Sequence, residues 1–174
     1  MKSLVGSIDD TVLRIEGLLV AALVAAMTVI VFAQVIFRYV LGSPLVWSEE
    51  LARYLFVWVT MIGAGAAVRL GQHYGLDILV TPLAPPVRKT VGFVATAIVA
   101  VVAGFLLWQG LKEAAGAMNH VASSLEIRMV WFYSAIPIGA ALMLWHVFAR
   151  LVVLGIGSSP LAAHAREARA PQPG

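Results

Sequence analysis

Residues 17–40 read GLLVAALVAAMTVIVFAQVIFRYV, and this stretch decides the class of fold. It contains a single charged residue, Arg38, close to its end. A helix needs roughly 20 predominantly apolar residues to cross the hydrocarbon core of a bilayer, so this segment is long enough. A secretory signal peptide has a shorter apolar core and a small-residue cleavage site after it. The stretch matches neither feature, and we expect it to be a retained membrane span.

Three further apolar stretches follow the first one, over residues 47–70, 91–111 and 129–156. Together the four stretches predict an all-α membrane protein with four transmembrane helices in an antiparallel bundle. Gly42 and Ser43 are expected to form a tight connection, with Ser43 capping the second helix and Pro44 at its first position. We therefore expect one membrane domain over residues 1–157.

Two segments outside the spans also carry a prediction. Apolar residues recur at helical spacing between the second and third spans, which predicts a short interfacial helix there. These residues are Leu76, Leu79, Val80 and Leu83. Residues 158–174 are rich in small and polar residues and contain little that could pack, so we predict a disordered cytoplasmic tail.

The composition excludes several classes of protein. With 61% hydrophobic and 12% charged residues among 174, the chain is too apolar for a soluble domain and needs the lipid bilayer around it. The formal net charge is +3, but the basic residues are scattered between apolar blocks, which argues against binding of nucleic acid. Cysteine is absent, so there is no disulfide framework and no thiolate metal site.

The distribution of lysine and arginine predicts the orientation. Eight fall on the side of the two termini and the second loop: Lys2, Arg14, Arg69, Arg88, Lys89, Arg150, Arg166 and Arg169. Four fall on the opposite side: Arg38, Arg53, Lys112 and Arg128. By the positive-inside rule, both termini and the second loop are expected in the cytoplasm, and the first and third loops on the opposite side of the membrane.

The middle of each predicted span lacks ionisable residues. A transporter acting alone normally places such residues, or broken helices, near the bilayer midplane to bind ion and substrate. Gln34 and Gln109 are the notable interior polar residues, and we interpret them as interhelical contacts. Pro137 with Gly139 is interpreted as a tolerated kink. The chemistry of translocation is therefore expected in another chain, and no catalytic, cofactor-binding or metal-binding residue is predicted.

The histidines test a different function, that of a membrane anchor subunit of a respiratory enzyme holding haem or quinone. Two axial haem ligands would have to face each other at matching depth. His73 and His120 lie in loops on opposite sides, and His164 lies in the tail. His146 alone falls within a span, where we interpret it as an interfacial side chain with local hydrogen bonds.

The start of the second span carries a recognisable motif. Residues 47–54 read WSEELARY, an aromatic residue and an acidic pair at a helix start. Further residues of the pattern follow along the chain: Trp58, Gly63, Arg69, His73 and Asp77. This pattern resembles the small membrane subunit of TRAP transporters, the DctQ-like family, and the final span with Pro137 and Gly139 is similar to that family's last helix.

The resemblance implies a tripartite, ATP-independent system for organic acids. In such a system a periplasmic substrate-binding protein delivers substrate to a large membrane subunit that is coupled to sodium. The small subunit binds the large one and serves as its accessory or scaffold, without a cofactor. The residues that match the motif are then candidates for the partner interface: Trp47, Glu49, Glu50, Arg53, Tyr54, Gly63, Arg69, His73, Asp77, Pro137 and Gly139.

The spacing within the motif suggests how these residues act. Glu49 and Glu50 lie four and three residues before Arg53, so the one arginine is expected to neutralise both carboxylates on a helix. The acidic pair is then either a polar latch for a partner or a solvated helix start of little energetic consequence. Arg69, His73 and Asp77 are spaced by four. We interpret them as an anchor for the second loop, with a proton relay through the His73–Asp77 pair as the alternative.

Small residues lie four apart on three of the helices, as the pairs Ala21/Ala25, Ala22/Ala26, Gly63/Ala67 and Ala135/Gly139. Such pairs allow helix backbones to approach closely, within the bundle or against a partner.

Overall fold

The computed structural model describes residues 2–70 and 85–154, and these residues fold almost entirely into helices. In chain order the helices are α1 (Lys2–Tyr39), α2 (Val46–Leu70), α3 (Pro85–Gly116), α4 (Val130–Tyr133) and α5 (Ala135–Leu154), with a 3-10 turn over Ala117–Asn119. Helices α1, α2 and α3 and the pair α4–α5 are each long and apolar enough to cross a membrane. The prediction of an all-α protein with four spans is confirmed.

The first connection differs in detail from the prediction. The N–H groups of Val40, Leu41 and Ser43 donate to carbonyl groups in the last turn of α1, and Gly42 adopts φ 63°. This left-handed conformation suits glycine and closes the end of a helix. Ser43 therefore completes α1 instead of capping α2. Helix α2 begins at Val46, two residues after the expected Pro44.

Helix α1 is longer than the apolar stretch that predicted it, because it begins at Lys2 and not at Gly17. Its polar first half is not simply exposed, since Asp9 and Glu16 are buried against the rest of the bundle. The hydrogen bonds and salt bridges of Asp9 and Glu16 hold the part of α1 before Gly17 in place. The hydropathy of the sequence does not reveal these contacts.

The fourth span is divided at Ser134, between α4 and α5. Pro137 lies four residues after Tyr133 and has no N–H to donate to the Tyr133 carbonyl. The ring of a proline also crowds the carbonyl four residues earlier, which disfavours a continuous helix. The expected kink at Pro137 is thus present as a break one turn before it. Ser134 accepts a hydrogen bond from the N–H of Ile138 at 3.1 Å, so the chain continues directly into α5.

Helix α5 is the centre of the bundle and packs against α1, α2 and α3. Among the described residues it supplies half of the buried apolar side chains, namely Ala135, Ala140, Met143, Val147 and Ala149. Helix α1 packs against α2 and α5, whereas α3 lies against α5 on another side. The outward faces of α1 and α3 are rich in exposed large apolar residues, as expected of helices that face lipid or a membrane partner.

Two glycines allow α5 to approach its neighbours. A Cβ atom on Gly139 would lie 2.7 Å from both Cβ and the carbonyl oxygen of Met61 on α2. A Cβ atom on Gly110 of α3 would lie 2.9 Å from Cδ of Pro137. Both separations are shorter than ordinary van der Waals contacts, so each position requires glycine at the present helix spacing.

Three predictions fall outside the described residues. They are the interfacial helix around residues 76–83, the end of the fourth span beyond residue 154, and the disordered tail over residues 158–174.

Candidate functional site: two polar clusters at opposite ends of the bundle

The first polar site is the His146 cluster, formed by Asp9, Asp10, Glu16, Arg69 and His146. Nδ1 of His146 lies 2.7 Å from Oδ1 of Asp9, and Nε2 lies 3.1 Å from Oε2 of Glu16. Arg69 contacts the other Asp9 oxygen through Nε, and its terminal nitrogen donates to Oδ1 of Asp10 at 2.7 Å. The cluster therefore joins α1, α2 and α5 at one end of the bundle.

Burial separates the members of the His146 cluster into two groups. His146, Glu16 and Asp9 are 1%, 2% and 4% exposed, whereas Asp10 presents most of its side chain to the surroundings. Isolated charges at such buried positions would be costly, but here each ionisable group has a partner of complementary character. The cluster can thus be tolerated inside the bundle.

Spacing on the helices explains how the cluster forms. Asp9 and Glu16 are seven residues apart, so they lie on the same face of α1 and both point at α5. Gly65 of α2 makes room for the second carboxylate, since a Cβ there would lie 2.9 Å from Oε1 of Glu16. The same Cβ would lie 3.1 Å from Cβ of Leu142, so α1 and α5 both approach α2 at this glycine.

The interpretation of His146 as an interfacial residue with local hydrogen bonds is wrong. Its partners are 137 and 130 residues away in the chain, and its side chain is fully buried. Both ring nitrogens face carboxylate oxygens, so neither is free to coordinate a haem iron in this arrangement. His120, the other histidine in the described part of the chain, is exposed in the loop at the opposite end. Within residues 2–70 and 85–154, the histidines therefore do not provide the facing pair that the alternative of a haem-binding anchor requires.

The second polar site is the Glu50 cluster, formed by Gln34, Arg38, Glu49, Glu50, Tyr54 and Ser124. Oε2 of Glu50 accepts a hydrogen bond from the backbone N–H of Ser124 at 2.8 Å, and Oε1 accepts one from the hydroxyl of Tyr54 at 3.0 Å. The ring of Tyr54 in turn stacks on Phe132, with centroids 3.7 Å apart and planes 7° apart. Glu50 and Tyr54 thus hold the third loop and α4 against the first turns of α2.

Glu49 points in a different direction from Glu50 and binds residues of α1. Its Oε1 accepts a hydrogen bond from Nε2 of Gln34 at 2.8 Å and lies 3.5 Å from a guanidinium nitrogen of Arg38. The expected neutralisation of both carboxylates by Arg53 is therefore wrong. Arg53 is exposed and forms no ion pair with either carboxylate within the described ranges, because cross-helix and loop partners satisfy both.

The two interior glutamines behave differently. Gln34 joins α1 to α2, which confirms its interpretation as an interhelical contact. Gln109 instead donates to Oε1 of Glu113 at 3.1 Å, one turn further along α3. That interhelical prediction is wrong, because a carboxylate on the same helix satisfies the amide.

The remaining predicted site residues fall into distinct environments. Trp47 is 39% exposed at the start of α2, and no atom would contact a Cβ placed on Gly63. Pro137 and Gly139 are buried where α5 meets α3 and α2. His73 and Asp77 lie outside the described residues, so the structure tests only the Arg69 part of the proposed loop anchor.

Asp9 and Glu16 are the site residues that the sequence reasoning missed. The available signal was their spacing of seven on a helix leading into a span, together with a lone histidine inside another span. Hydropathy alone assigns Asp9 and Glu16 to a helix end, and only helix packing shows that they are buried against His146.

Comparison with known protein families provides the deciding observation. The family model for the DctQ component of the tripartite ATP-independent periplasmic (TRAP) transporters matches residues 27–154. The chain belongs to the DctQ family. It is therefore a small permease subunit of a TRAP transporter, and the resemblance noted in residues 47–77 is confirmed.

Individual relatives agree with the family assignment. The C4-dicarboxylate small permease protein DctQ of Rhodobacter capsulatus is 31% identical over 163 residues, covering 75% of this chain and 71% of that protein. The sialic acid small permease protein SiaQ of Vibrio cholerae is 25% identical, covering 84% of this chain and 87% of that protein. The sialic acid permease protein SiaT of Haemophilus influenzae is 32% identical over 86% of this chain, but the match spans 24% of its own length.

The match to the DctQ family covers the two polar clusters unequally. The Glu50 cluster lies entirely within residues 27–154, as do Arg69 and His146. Asp9 and Glu16 come before that range. The family match therefore does not include the α1 half of the His146 cluster.

Proposed function

We propose that this DctQ-family chain is the accessory or scaffold subunit of a TRAP system in a bacterial inner membrane. In this proposal it supports a larger, sodium-coupled membrane subunit, which receives organic acids from a periplasmic substrate-binding protein. Its own contribution is to position the larger subunit in the bilayer and to complete the surface on which the binding protein docks.

The observation that carries the accessory role is the uncharged middle of every span. Residues 17–33, 54–68, 90–111 and 129–145 contain no Asp, Glu, Lys, Arg or His. Secondary transporters usually bind ions and substrates with polar or charged groups near the midplane. The charged side chains of the two polar clusters lie instead towards the helix ends, where they connect α1, α2, α5 and the third loop to one another.

The exposed surfaces support a protein partner within the membrane. Large apolar side chains cover the outward faces of α1 and α3, and Gly63 leaves an open position on α2. In SiaT, the segment similar to this chain makes up about a quarter of a longer permease protein. That relative supports the proposal that this four-helix unit works beside a much larger permease region.

The substrate class in this proposal follows the names of the relatives. The Rhodobacter protein is named for C4-dicarboxylates and the Vibrio protein for sialic acid, and both kinds of compound carry carboxylate groups. We propose an organic acid as the substrate of the whole system, bound by the larger subunit and the binding protein and not by this chain.

The orientation is part of the proposal and follows from the basic residues, which favour cytoplasmic termini. The chain has no native cysteine, so single cysteines can report the side of the membrane. Ser7 is exposed near the start of α1, and Ser123 is exposed in the third loop. A membrane-impermeant thiol reagent added to intact spheroplasts should label Ser123→Cys and spare Ser7→Cys. The reverse pattern would contradict the orientation.

The candidate docking surface lies at the outer end of α2 and comprises Trp47, Glu49 and Arg53. All three are exposed, although Glu49 also contacts Gln34 and Arg38. Glu50 and Tyr54 are excluded from this surface because they hold the third loop in place. In this proposal the exposed residues of the motif are available to a partner, whereas Glu50 and Tyr54 support the fold.

Transport by the reconstituted three-component system tests the proposal. We expect Glu49→Ala to lower maximal uptake while leaving the ranking of competing acids and the sodium dependence unchanged. Glu113→Gln is a matched control, since it removes one exposed carboxylate charge from the same end of the bundle but on α3. A changed substrate ranking or sodium stoichiometry in Glu49→Ala would place this chain in the translocation site and refute the accessory role.

A further inference from the structure

The His146 cluster contains two hydrogen-bond contacts that a neutral histidine cannot make with two ionised carboxylates. Nδ1 of His146 lies 2.7 Å from Oδ1 of Asp9, and Nε2 lies 3.1 Å from Oε2 of Glu16. Each contact requires a hydrogen between nitrogen and oxygen, because two lone pairs facing each other repel. A neutral imidazole carries a single N–H and an ionised carboxylate carries none.

Two proton arrangements satisfy both contacts. In one, His146 is an imidazolium that donates to two carboxylates; in the other, a neutral imidazole donates to one carboxylate and accepts from a protonated carboxylic acid. Both arrangements contain the same number of protons and give Asp9, His146 and Glu16 a combined charge of −1. The positive charge of the partly exposed Arg69, which contacts Asp9, offsets this negative charge.

Neutrality matters because Asp9, Glu16 and His146 are at most 4% exposed as whole residues. Without the additional proton, the same set would carry a net negative charge in a region of low dielectric, which is costly. It would also bring a nitrogen lone pair against a carboxylate oxygen. Geometry and charge therefore lead independently to the same proton count.

The charged groups that contact this set come from α1 and α2, and the exposed Asp10 also contacts Arg69. Helix α1 contributes Asp9, Glu16 and the exposed Asp10, and α2 contributes Arg69. Arg150 follows one turn later on α5 and has an interaction of its own. Residues 90–111 of α3, which packs on another side of α5, contain no charged residue.

We propose that Asp9, His146 and Glu16 form a proton-binding site that ties α1 to α5. The folded chain holds one proton more at this site than the separated side chains hold in mildly alkaline water, where histidine is mostly neutral and both acids are ionised. Release of the proton breaks one of the two contacts and leaves an unbalanced charge between the helices. The proton is thus part of the structure that holds α1 in the bundle, an inference that does not depend on transport.

The proposal has a definite sign. Folding takes up a proton, so the stability from this site is present at low pH and is lost as the pH rises and the folded site releases its proton. While the proton remains bound in the folded state only, the equilibrium constant for unfolding should rise up to about tenfold per pH unit. The measurement is reversible unfolding of the purified full chain in mixed micelles between pH 7.5 and 8.5.

Glu16→Gln is the decisive variant because it preserves both contacts without the extra proton. The amide of Gln donates to Nε2 of His146, while Nδ1–H donates to Asp9. Asp9 and Arg69 then balance each other. We expect this variant to fold and to lose the part of the pH dependence of its unfolding equilibrium constant that comes from this site. The other histidines contribute equally to the pH dependence of the wild type and of the variant. Asp10→Asn changes the exposed residue after Asp9, so this variant should keep the wild-type change of the unfolding constant with pH.

The proposal would be overturned if the unfolding constants of the wild type and of Glu16→Gln changed equally with pH. A direct measurement on the wild-type chain does not depend on the folding of any variant. With ¹⁵N-labelled histidine and infrared spectroscopy in lipid nanodiscs at pH 7.5, we expect either a doubly protonated His146 ring or a protonated carboxyl group. A singly protonated ring together with fully ionised carboxylates would also overturn it.

Discussion

Replacement of Gly139 by alanine is the sharpest test of how the bundle is packed. The added Cβ would lie 2.7 Å from Cβ, 2.7 Å from the carbonyl oxygen and 2.8 Å from the carbonyl carbon of Met61. Carbon atoms pack best at about 3.5–4.0 Å, so a shift of roughly 0.7 Å or more is needed to relieve the contact. Two of the three atoms belong to the backbone of α2, which cannot rotate away. The helices α2 and α5 must therefore separate.

The magnitude follows from two opposing terms. Forcing an extra methyl group into a well-packed interface costs about 1–3 kcal/mol. Alanine is also a better helix former than glycine by up to about 1 kcal/mol, which offsets part of that cost. Separating the two terms requires a variant that gains the helix propensity of alanine without the steric clash.

Gly63→Ala is that control. Gly63 also lies within a helix of the same bundle, but nothing lies within 4 Å of a Cβ placed there. Both variants gain the same helical preference, so the difference between them isolates the clash, and we expect Gly139→Ala to be less stable than Gly63→Ala by about 1–3 kcal/mol. The assay is reversible unfolding of each purified chain in mixed micelles. Equal stability of the two variants would refute the close approach of α5 to α2.

Three further predictions concern the polar clusters. Glu50→Ala should lower the stability of the chain, because it leaves the Ser124 N–H and the Tyr54 hydroxyl without their acceptor, and hydrogen exchange at the Ser124 amide should accelerate. Unchanged exchange at that amide would contradict the role of this carboxylate in holding the loop. Arg53→Ala should change the free energy of unfolding by no more than about 0.5 kcal/mol in the same unfolding assay, since that side chain is exposed. A larger loss of stability would support the pairing of Arg53 with Glu49 and Glu50. Arg69→Ala should destabilise the chain more than Arg53→Ala, because it removes the cation from a largely buried carboxylate of α1. Limited proteolysis of Arg69→Ala should then cleave α1 first. Identical proteolysis of the two variants would argue against this role of Arg69.

The sequence by itself was sufficient for the class of protein, the number of spans and the family. These properties depend on local composition, because a membrane helix satisfies its own backbone hydrogen bonds and needs only enough apolar length. An irregularity near Pro137 could also be expected, as a kink, since a proline disrupts the helix within its own turn. The family resemblance rested on residues 47–77 and on the last span, and comparison with known families confirmed it.

The tertiary structure alone decided which residues act together. Spacing within α2 suggested that Arg53 neutralises Glu49 and Glu50, yet these carboxylates bind α1 and the third loop, because partners across the bundle compete with those one turn away. Spacing likewise could not distinguish Gly63 from Gly139, which differ only in whether another helix lies opposite. His146 meets Asp9 and Glu16 across more than a hundred residues, a contact set by how three helices pack and not by any local pattern.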